Sequence, residues 1–227
     1  MQKQFFTEAI SLEIFETISK ASQQLGLESY VIGGFVRDYF LKRGTAKDID
    51  IVTVGSGIDL AEKVSNLLPN KPKVQVFKTY GTAMLRYKDI EIEFVGARKE
   101  SYSEESRNPE VSEGNLQDDQ NRRDFTINAL ALSLNEANFG ELLDPFNGID
   151  DLGNGILRTP LNPDITYSDD PLRMMRAIRF ASQLNFKIEK KSLAAITKNS
   201  ERLEIITRER IVDELNKVMS CEKPSIG

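Results

Sequence analysis

Tyr30–Val54 reads YVIGGFVRDYFLKRGTAKDIDIVTV, and the fold turns on how this stretch is read. Tyr30, Val31 and Ile32 suit the end of a short buried strand. Gly33-Gly34 then lets the backbone turn sharply and approach a ligand closely. Apolar residues at 35, 36, 39, 40 and 41 predict a helix that starts directly after the glycines. Its N-terminus would aim free N–H groups at an anion, and Arg37 in its first turn adds positive charge, which outlines a phosphate site. Past the link Lys42-Arg43-Gly44-Thr45, the run Asp48-Ile49-Asp50-Ile51-Val52 predicts a second strand. Alternate residues of a strand share a face, so Asp48 and Asp50 point one way while Ile49 and Ile51 point into the core. Two neighbouring carboxylates repel unless something positive lies between them, and hard divalent cations such as Mg²⁺ take oxygen ligands.

Composition narrows the chemistry. The 227 residues contain no histidine, which excludes Ser-His-Asp and Cys-His machinery, His-ligated zinc and an imidazole base. One cysteine, Cys221, excludes an internal disulfide and a multi-thiolate zinc site. Carboxylates, cationic side chains and metal remain. The net charge of −5 is unevenly spread. Residues 1–157 carry 17 Lys and Arg against 25 Asp and Glu, whereas 158–217 carry 12 against 9. The first part therefore suits a metal and the second a polyanion. No apolar run approaches a membrane span, and MQKQFFTEAISLEIF reads as an amphipathic helix without a signal-peptide cleavage site, so a cytoplasmic location is expected.

Outward from the central stretch, apolar spacing predicts one helix over 4–25 ended by Gly26, and another over 58–68 stopped by Pro69. Residues 74–77 and 82–87 read as strands around the turn Lys78-Thr79-Tyr80-Gly81, and 90–95 alternates strictly, with Glu91 and Glu93 on one face. Lys99–Gln120 is polar and aperiodic and predicts a long loop. Asn121-Arg122-Arg123-Asp124-Phe125 opens a helix or strand, with a surface ion pair to Asp124 as the plain reading. Leu142–Gly155 reads as a turn-rich connection.

Ser168-Asp169-Asp170-Pro171-Leu172-Arg173-Met174-Met175-Arg176-Ala177-Ile178-Arg179-Phe180 predicts a helix capped by Asp169 or Asp170. Asp170, Arg173, Arg176 and Arg179 recur every third residue as a charged ridge. The ridge is either a solvated face or, with a single acid beside three arginines, a surface for a polyanion. An aspartate can accept from the exocyclic amine of cytosine or adenine while an arginine donates to the acceptors beside it; uracil and guanine present a carbonyl where that amine should be. Lys187–Met219 is helical in pattern.

A phosphate-gripping turn followed by an Asp-x-Asp strand is what nucleotidyl transfer needs. GGFVRD with KDIDI, RRDFTINALAL, LLDPFNGIDDLGNG, DDPLRMMRAIRF and ERIVDELNKVM resemble the bacterial-type (class II) tRNA nucleotidyltransferases, the CCA-adding enzymes, and their poly(A) polymerase relatives. The resemblance covers the chain from Tyr30 onward. It implies an α/β (α+β) fold: a polymerase β-like head with a mixed sheet over residues 1–157, then a small all-α neck over 158–227. It implies CMP and AMP addition from CTP and ATP to the tRNA 3′ end. Asp48 and Asp50 would be catalytic Mg²⁺ ligands with Glu93 as a third carboxylate, while Gly33, Gly34, Arg37 and Arg123 would hold the phosphates. Asp170 and Arg173 would read the base, with Arg176 and Arg179 supporting the nucleotide. Poly(A) synthesis, CC-only or A-only addition, and a non-catalytic nucleotide- or RNA-binding module are the alternatives. Such family members continue into further helices that hold tRNA, so the chain reads as a fragment or a short form.

Overall fold

The computed structural model describes residues 3–44, 47–103 and 106–227, and the side chains of 102–110 lie outside the description. Thr45 of the expected link and Glu104 and Glu105 of the expected loop thus fall outside it.

In chain order the elements are α1 (Glu13–Leu25), β1 (Glu28–Ile32), α2 (Gly34–Phe40), β2 (Asp48–Val54), α3 (Gly57–Leu67), β3 (Gln75–Phe77), β4 (Thr82–Tyr87), β5 (Ile90–Gly96), β6 (Arg98–Ser103) and β7 (Ser106–Glu113). Then come α4 (Leu116–Asn121), β8 (Ala131–Ser133), β9 (Leu142–Leu143), α5 (Gly148–Asn154), β10 (Ile156–Leu157), α6 (Pro163–Asp169), α7 (Leu172–Leu184), β11 (Lys187–Ile188), α8 (Lys190–Asn199) and α9 (Arg208–Met219). Two compact units divide the chain. One comprises Met1–Lys99, Glu113–Gln120 and Asn128–Pro145, the other Glu100–Ser112, Asn121–Ile127 and Phe146–Gly227.

The first unit is a seven-stranded mixed sheet in the order β3-β4-β5-β2-β1-β8-β9, in which only β2 and β5 run parallel. Alternation along β2 buries Ile49 and Ile51 and leaves Asp48 exposed and Asp50 half-buried, as expected. The face carrying Ile49, Ile51, Ile92 and Phe94 is covered by α1 and α3, whose Ile14, Phe15, Ile18, Leu60, Ala61 and Val64 are fully buried. Gly57 admits this close packing, since a Cβ there would stand 2.9 Å from the Phe94 backbone. On the opposite face Tyr30, Ile32, Val52, Ala97, Leu116 and Ala131 form a second cluster, and the acid-bearing ends of β2 and β5 stay open beside it.

Three expectations need correction. The predicted helix over 4–25 is broken: Thr7–Ile10 is a 3-10 turn, and Leu12 is extended before α1 begins. The sheet edge competes for this backbone, with Phe6 N–H donating to the Gly140 carbonyl and Leu142 N–H to that of Gln4. The predicted loop over 99–120 is a two-stranded ribbon, β6 with β7, followed by α4. In β6 the half-buried positions are the charged Arg98 and Glu100, between exposed Lys99 and Ser101, and Val111, Ser112 and Glu113 of β7 are all exposed, so the ribbon lacks the apolar-and-polar alternation by which a strand is recognised. Leu142–Gly155 includes the helix α5, not turns alone.

The second unit holds α5 to α9, together with most of the β6–β7 ribbon and the two-residue strands β10 and β11, which pair in parallel. Tyr167 of α6, Met174 of α7 and Ala195 of α8 form its buried cluster. No helix among the described residues is long and apolar enough to cross a membrane.

Candidate functional site

In the first unit the glycine turn is built as the sequence requires. Gly33 adopts a positive φ of 83°, which glycine accepts without strain, and its N–H donates to the Leu130 carbonyl. The carbonyl of Gly33 accepts from Arg37 N–H and starts α2. A Cβ on Gly34 would stand 3.6 Å from Nη2 of Arg37, so the bare turn lies over that guanidinium. Arg37 itself is buried. Nε and Nη2 each donate to the Asp38 carboxylate at 2.9 Å, and Nη1 donates to Oδ1 of Asn128 at 2.7 Å. These donors tie the glycine turn, where Arg37 was expected to meet phosphate, to Asn128 in the RRDFTIN segment.

The register of β2 on β5 sets Asp48 beside Glu91 and Asp50 beside Glu93. The Glu93 carboxyl is pushed above the usual carboxylate range, first by loss of water around it and next by the charge of Asp50, against the pull of Arg98 and a hydrogen bond from Thr82. Two carboxylates side by side form a donor set suited to a hard divalent cation. Among the described residues no three such side chains converge on a point as a closed ligand set. Asp48, Asp50 and Glu93 share an open face.

The second unit holds the remaining candidates. Arg123 is half-buried, and Arg122 beside it approaches Glu100 at 3.4 Å. Asp124 is buried, contrary to its reading as a surface ion-pair partner of those arginines. Its Oδ2 accepts from Nε and Nη2 of Arg176 at 2.8 and 2.6 Å, and its Oδ1 accepts from Phe125 N–H at 2.8 Å. Asp124's charge holds the Arg176 guanidinium above its ordinary pKa. Thr126 donates to Asp151, which also accepts from Arg158.

At the start of α7, Oδ1 of Asp170 accepts from Leu172 N–H, and Oδ2 lies 3.9 Å from Nε of the buried Arg173. One carboxylate thus caps the helix and stands next to a fixed guanidinium, the acceptor-and-donor edge that base reading requires. Asp169 beside it is pushed above its ordinary range, chiefly by burial. Arg179 donates to Glu214 of α9 at 2.6 Å and to Gln183 at 3.0 Å. The arginine ridge is therefore not a row of unopposed charges. Arg176 and Arg179 find their carboxylates 52 and 35 residues away, beyond the reach of any local pattern.

The structure therefore brings Gly33, Gly34, Asp48, Asp50 and Glu93 together on one unit, and Arg123, Asp170 and Arg173 on the other. Sequence reasoning missed Asn128, Asp151 and Glu214 as supports, and gave Asp124 only a surface role.

A mixed sheet that carries a glycine turn at one strand end and paired carboxylates on the next strand defines a nucleotidyltransferase-type head. Residues 29–158 match the poly A polymerase head domain, and 185–227 match the probable RNA and SrmB-binding site of polymerase A. The chain belongs to the poly(A) polymerase head-domain family. It is 41% identical over 196 residues to a CCA-adding enzyme of Enterococcus faecalis, covering 86% of this chain and 46% of that one. An A-adding tRNA nucleotidyltransferase of Halalkalibacterium halodurans is 33% identical over 209 residues, covering 90% and 48%. A crystal structure of a tRNA nucleotidyltransferase complexed with a primer tRNA and an incoming ATP analog superposes with a TM-score of 0.79 at 31% identity, covering 92% of this chain and 58% of that one. The chain spans about half the length of these proteins.

Proposed function

We propose that this chain performs template-independent nucleotidyl transfer to RNA, adding CMP and AMP from CTP and ATP to the 3′ end of tRNA. The observation that carries the reading is the β2–β5 register, which sets Asp48, Asp50 and Glu93 on one open face beside the Gly33-Gly34 turn. Residues 1–157 act as the catalytic head and 158–227 as the nucleotide-selecting neck.

The primer 3′-hydroxyl oxygen attacks the α-phosphorus in line, the bond to the bridging oxygen breaks, and pyrophosphate leaves. Asp48 and Asp50, with Glu93 beside them, are the residues that would hold Mg²⁺, which would there supply a lowered pKa for the 3′ hydroxyl and positive charge for the triphosphate and the leaving pyrophosphate. The bare backbone at Gly33-Gly34 lets the triphosphate approach closely, and Arg123 supplies positive charge to it. Asp170 accepts from the exocyclic amine of cytosine or adenine while Arg173 donates beside it; uracil and guanine meet the carboxylate acceptor to acceptor. Arg37, Arg176 and Arg179 fix the frame that holds these groups.

A second reading, addition of the terminal A alone, is supported by the likeness to the A-adding nucleotidyltransferase. The test is incorporation of each of the four labelled nucleoside triphosphates into tRNA ending before CCA, after C and after CC, with Mg²⁺ and with Asp48→Ala and Asp50→Ala controls. CTP followed by ATP, lost in both controls, supports CCA addition. ATP on the CC end alone moves the reading to A addition, and ATP on an unrelated RNA moves it to poly(A) synthesis. Nucleotide binding without any incorporation makes the chain a binding module and overturns the proposal.

A further inference from the structure

Asp124 and Arg176 are closely engaged with one another. The Asp124 carboxylate is divided between two donors: Oδ2 takes both guanidinium N–H groups and Oδ1 takes Phe125 N–H. The side chain is only 7% exposed. On the far side of Phe125, Thr126 is pinned by its hydroxyl to Asp151 and by its N–H to the Arg158 carbonyl. The Phe125 ring meets Phe180 of α7 edge-on at 5.7 Å, and Arg176 lies over that same ring. The segment next to Arg123 is thus anchored to α7 at a point three residues, about 4.5 Å of rise, from Arg173.

We propose that Arg176 and Asp124 are a positioning pair, in which the α7 guanidinium locks the Arg123 segment in register with Asp170 and Arg173 and does not touch the nucleotide. The proposal rests on the reading above, in which Arg123 meets phosphate and Asp170 and Arg173 meet the base. Arg176 spends Nε and one N–H of Nη2, the edge that a phosphate or carboxylate takes as a pair, on Asp124. A nucleotide held at both ends is selected only if the distance between its two grips is fixed. A misplacement of about 1 Å costs on the order of a hundredfold in rate.

The experiment compares Arg176→Gln, Asp124→Asn, Arg176→Lys and the Asp124→Asn/Arg176→Gln double variant with the unmodified chain. It measures kcat and KM for all four nucleoside triphosphates and the binding of CTP without turnover, below each variant's unfolding temperature. The two single variants are expected to lower kcat/KM for CTP and ATP alike by roughly a hundredfold. The preference for CTP over UTP falls in both, because a loosened frame loses the advantage of the correct base. The double variant is no worse than the worse single one, as groups acting as one unit behave, and Arg176→Lys recovers part of the loss. A guanidinium that touched phosphate directly would slow all four nucleotides equally, with selectivity kept and Asp124→Asn nearly silent. That pattern, or effects that multiply in the double variant, overturns the proposal. Where Arg176→Gln does not fold, Arg176→Lys and Asp124→Asn carry the same comparison. An unmodified chain that neither binds nor transfers CTP defeats the underlying reading instead, and the positioning role falls with it.

Discussion

Glu93 shows at a single residue how a site is held at a cost to the fold. Lost water and the charge of Asp50 raise its proton affinity above the ordinary carboxylate value of 4.5. The folded chain therefore keeps that proton to higher pH than the unfolded chain does. Stability falls as pH rises from the ordinary value through the raised one, and the penalty is fully present above that window. Glu93→Gln should raise Tm at pH 7, by no more than a few degrees given roughly 2–4 °C per kcal/mol at this size. It should leave Tm unchanged below the ordinary carboxylate pKa. Added Mg²⁺ should raise the Tm of the unmodified chain more than that of Glu93→Gln, because a ligand stabilises only the state that binds it. Thermal scans at two pH values, with and without Mg²⁺, test both points; a lower Tm for the variant at pH 7, or an equal response to Mg²⁺, would refute the assignment.

Among the elements, the strands that carry the carboxylates were legible because their acid-bearing stretches are buried on one face and alternate, as Asp48–Ile51 and Glu91–Phe94 do. The ribbon of β6 and β7 was not legible, since the half-buried positions of β6 are the charged Arg98 and Glu100 and not apolar residues. The start of α7 was readable from Asp170 and Pro171, but the use made of its arginines was not, because ion pairing across 52 and 35 residues is a property of packing. Arg179 and Glu214 join α7 to α9, with Lys217 as a second donor. Burial pushes the Glu214 carboxyl upward, but the hydrogen bond from Lys217 and the charge of Arg179 outweigh it and hold the group below its ordinary range. A carboxylate with a lowered pKa contributes stability above its unfolded value and loses it as pH falls through the folded one. Glu214→Gln should cost about 3 kcal/mol at pH 7, because it leaves Arg179 with a buried charge, and the difference should shrink in acid. Urea unfolding at pH 7 and near pH 3 checks this, and an equal cost at both would argue against an ionic origin. Under the same helices the hydroxyls of Tyr167 and Ser192 are buried without a well-formed hydrogen bond, and burial pushes the Tyr167 phenol up to about 12. Tyr167→Phe removes a desolvated hydroxyl and should be neutral or stabilising by up to about 1 kcal/mol in the same assay.

Across the whole molecule, the charge division visible in the sequence separates two tasks. The acidic first part carries the carboxylates proposed to meet a cation, while three lysines lie close together in the helical stretch that matches an RNA-binding family. Lys187, Lys190 and Lys191 are all exposed at the start of α8, within that matched stretch. If they lie along an RNA backbone, each releases condensed counterions on binding, and affinity falls with salt in proportion to the number of phosphates neutralised. Replacing all three by Gln should weaken tRNA binding and reduce the slope of log affinity against log salt concentration by about 2 to 3, at roughly 0.7 to 0.9 per contact. Under the proposed roles of Arg123, Asp170 and Arg173 in holding the small nucleotide, KM for CTP and ATP should stay unchanged. Filter binding of tRNA across a range of KCl concentrations, alongside nucleotide KM values, separates these contributions. A slope that does not move would place the RNA backbone elsewhere on the molecule, and a raised KM with an unchanged slope would turn these lysines into part of the nucleotide site.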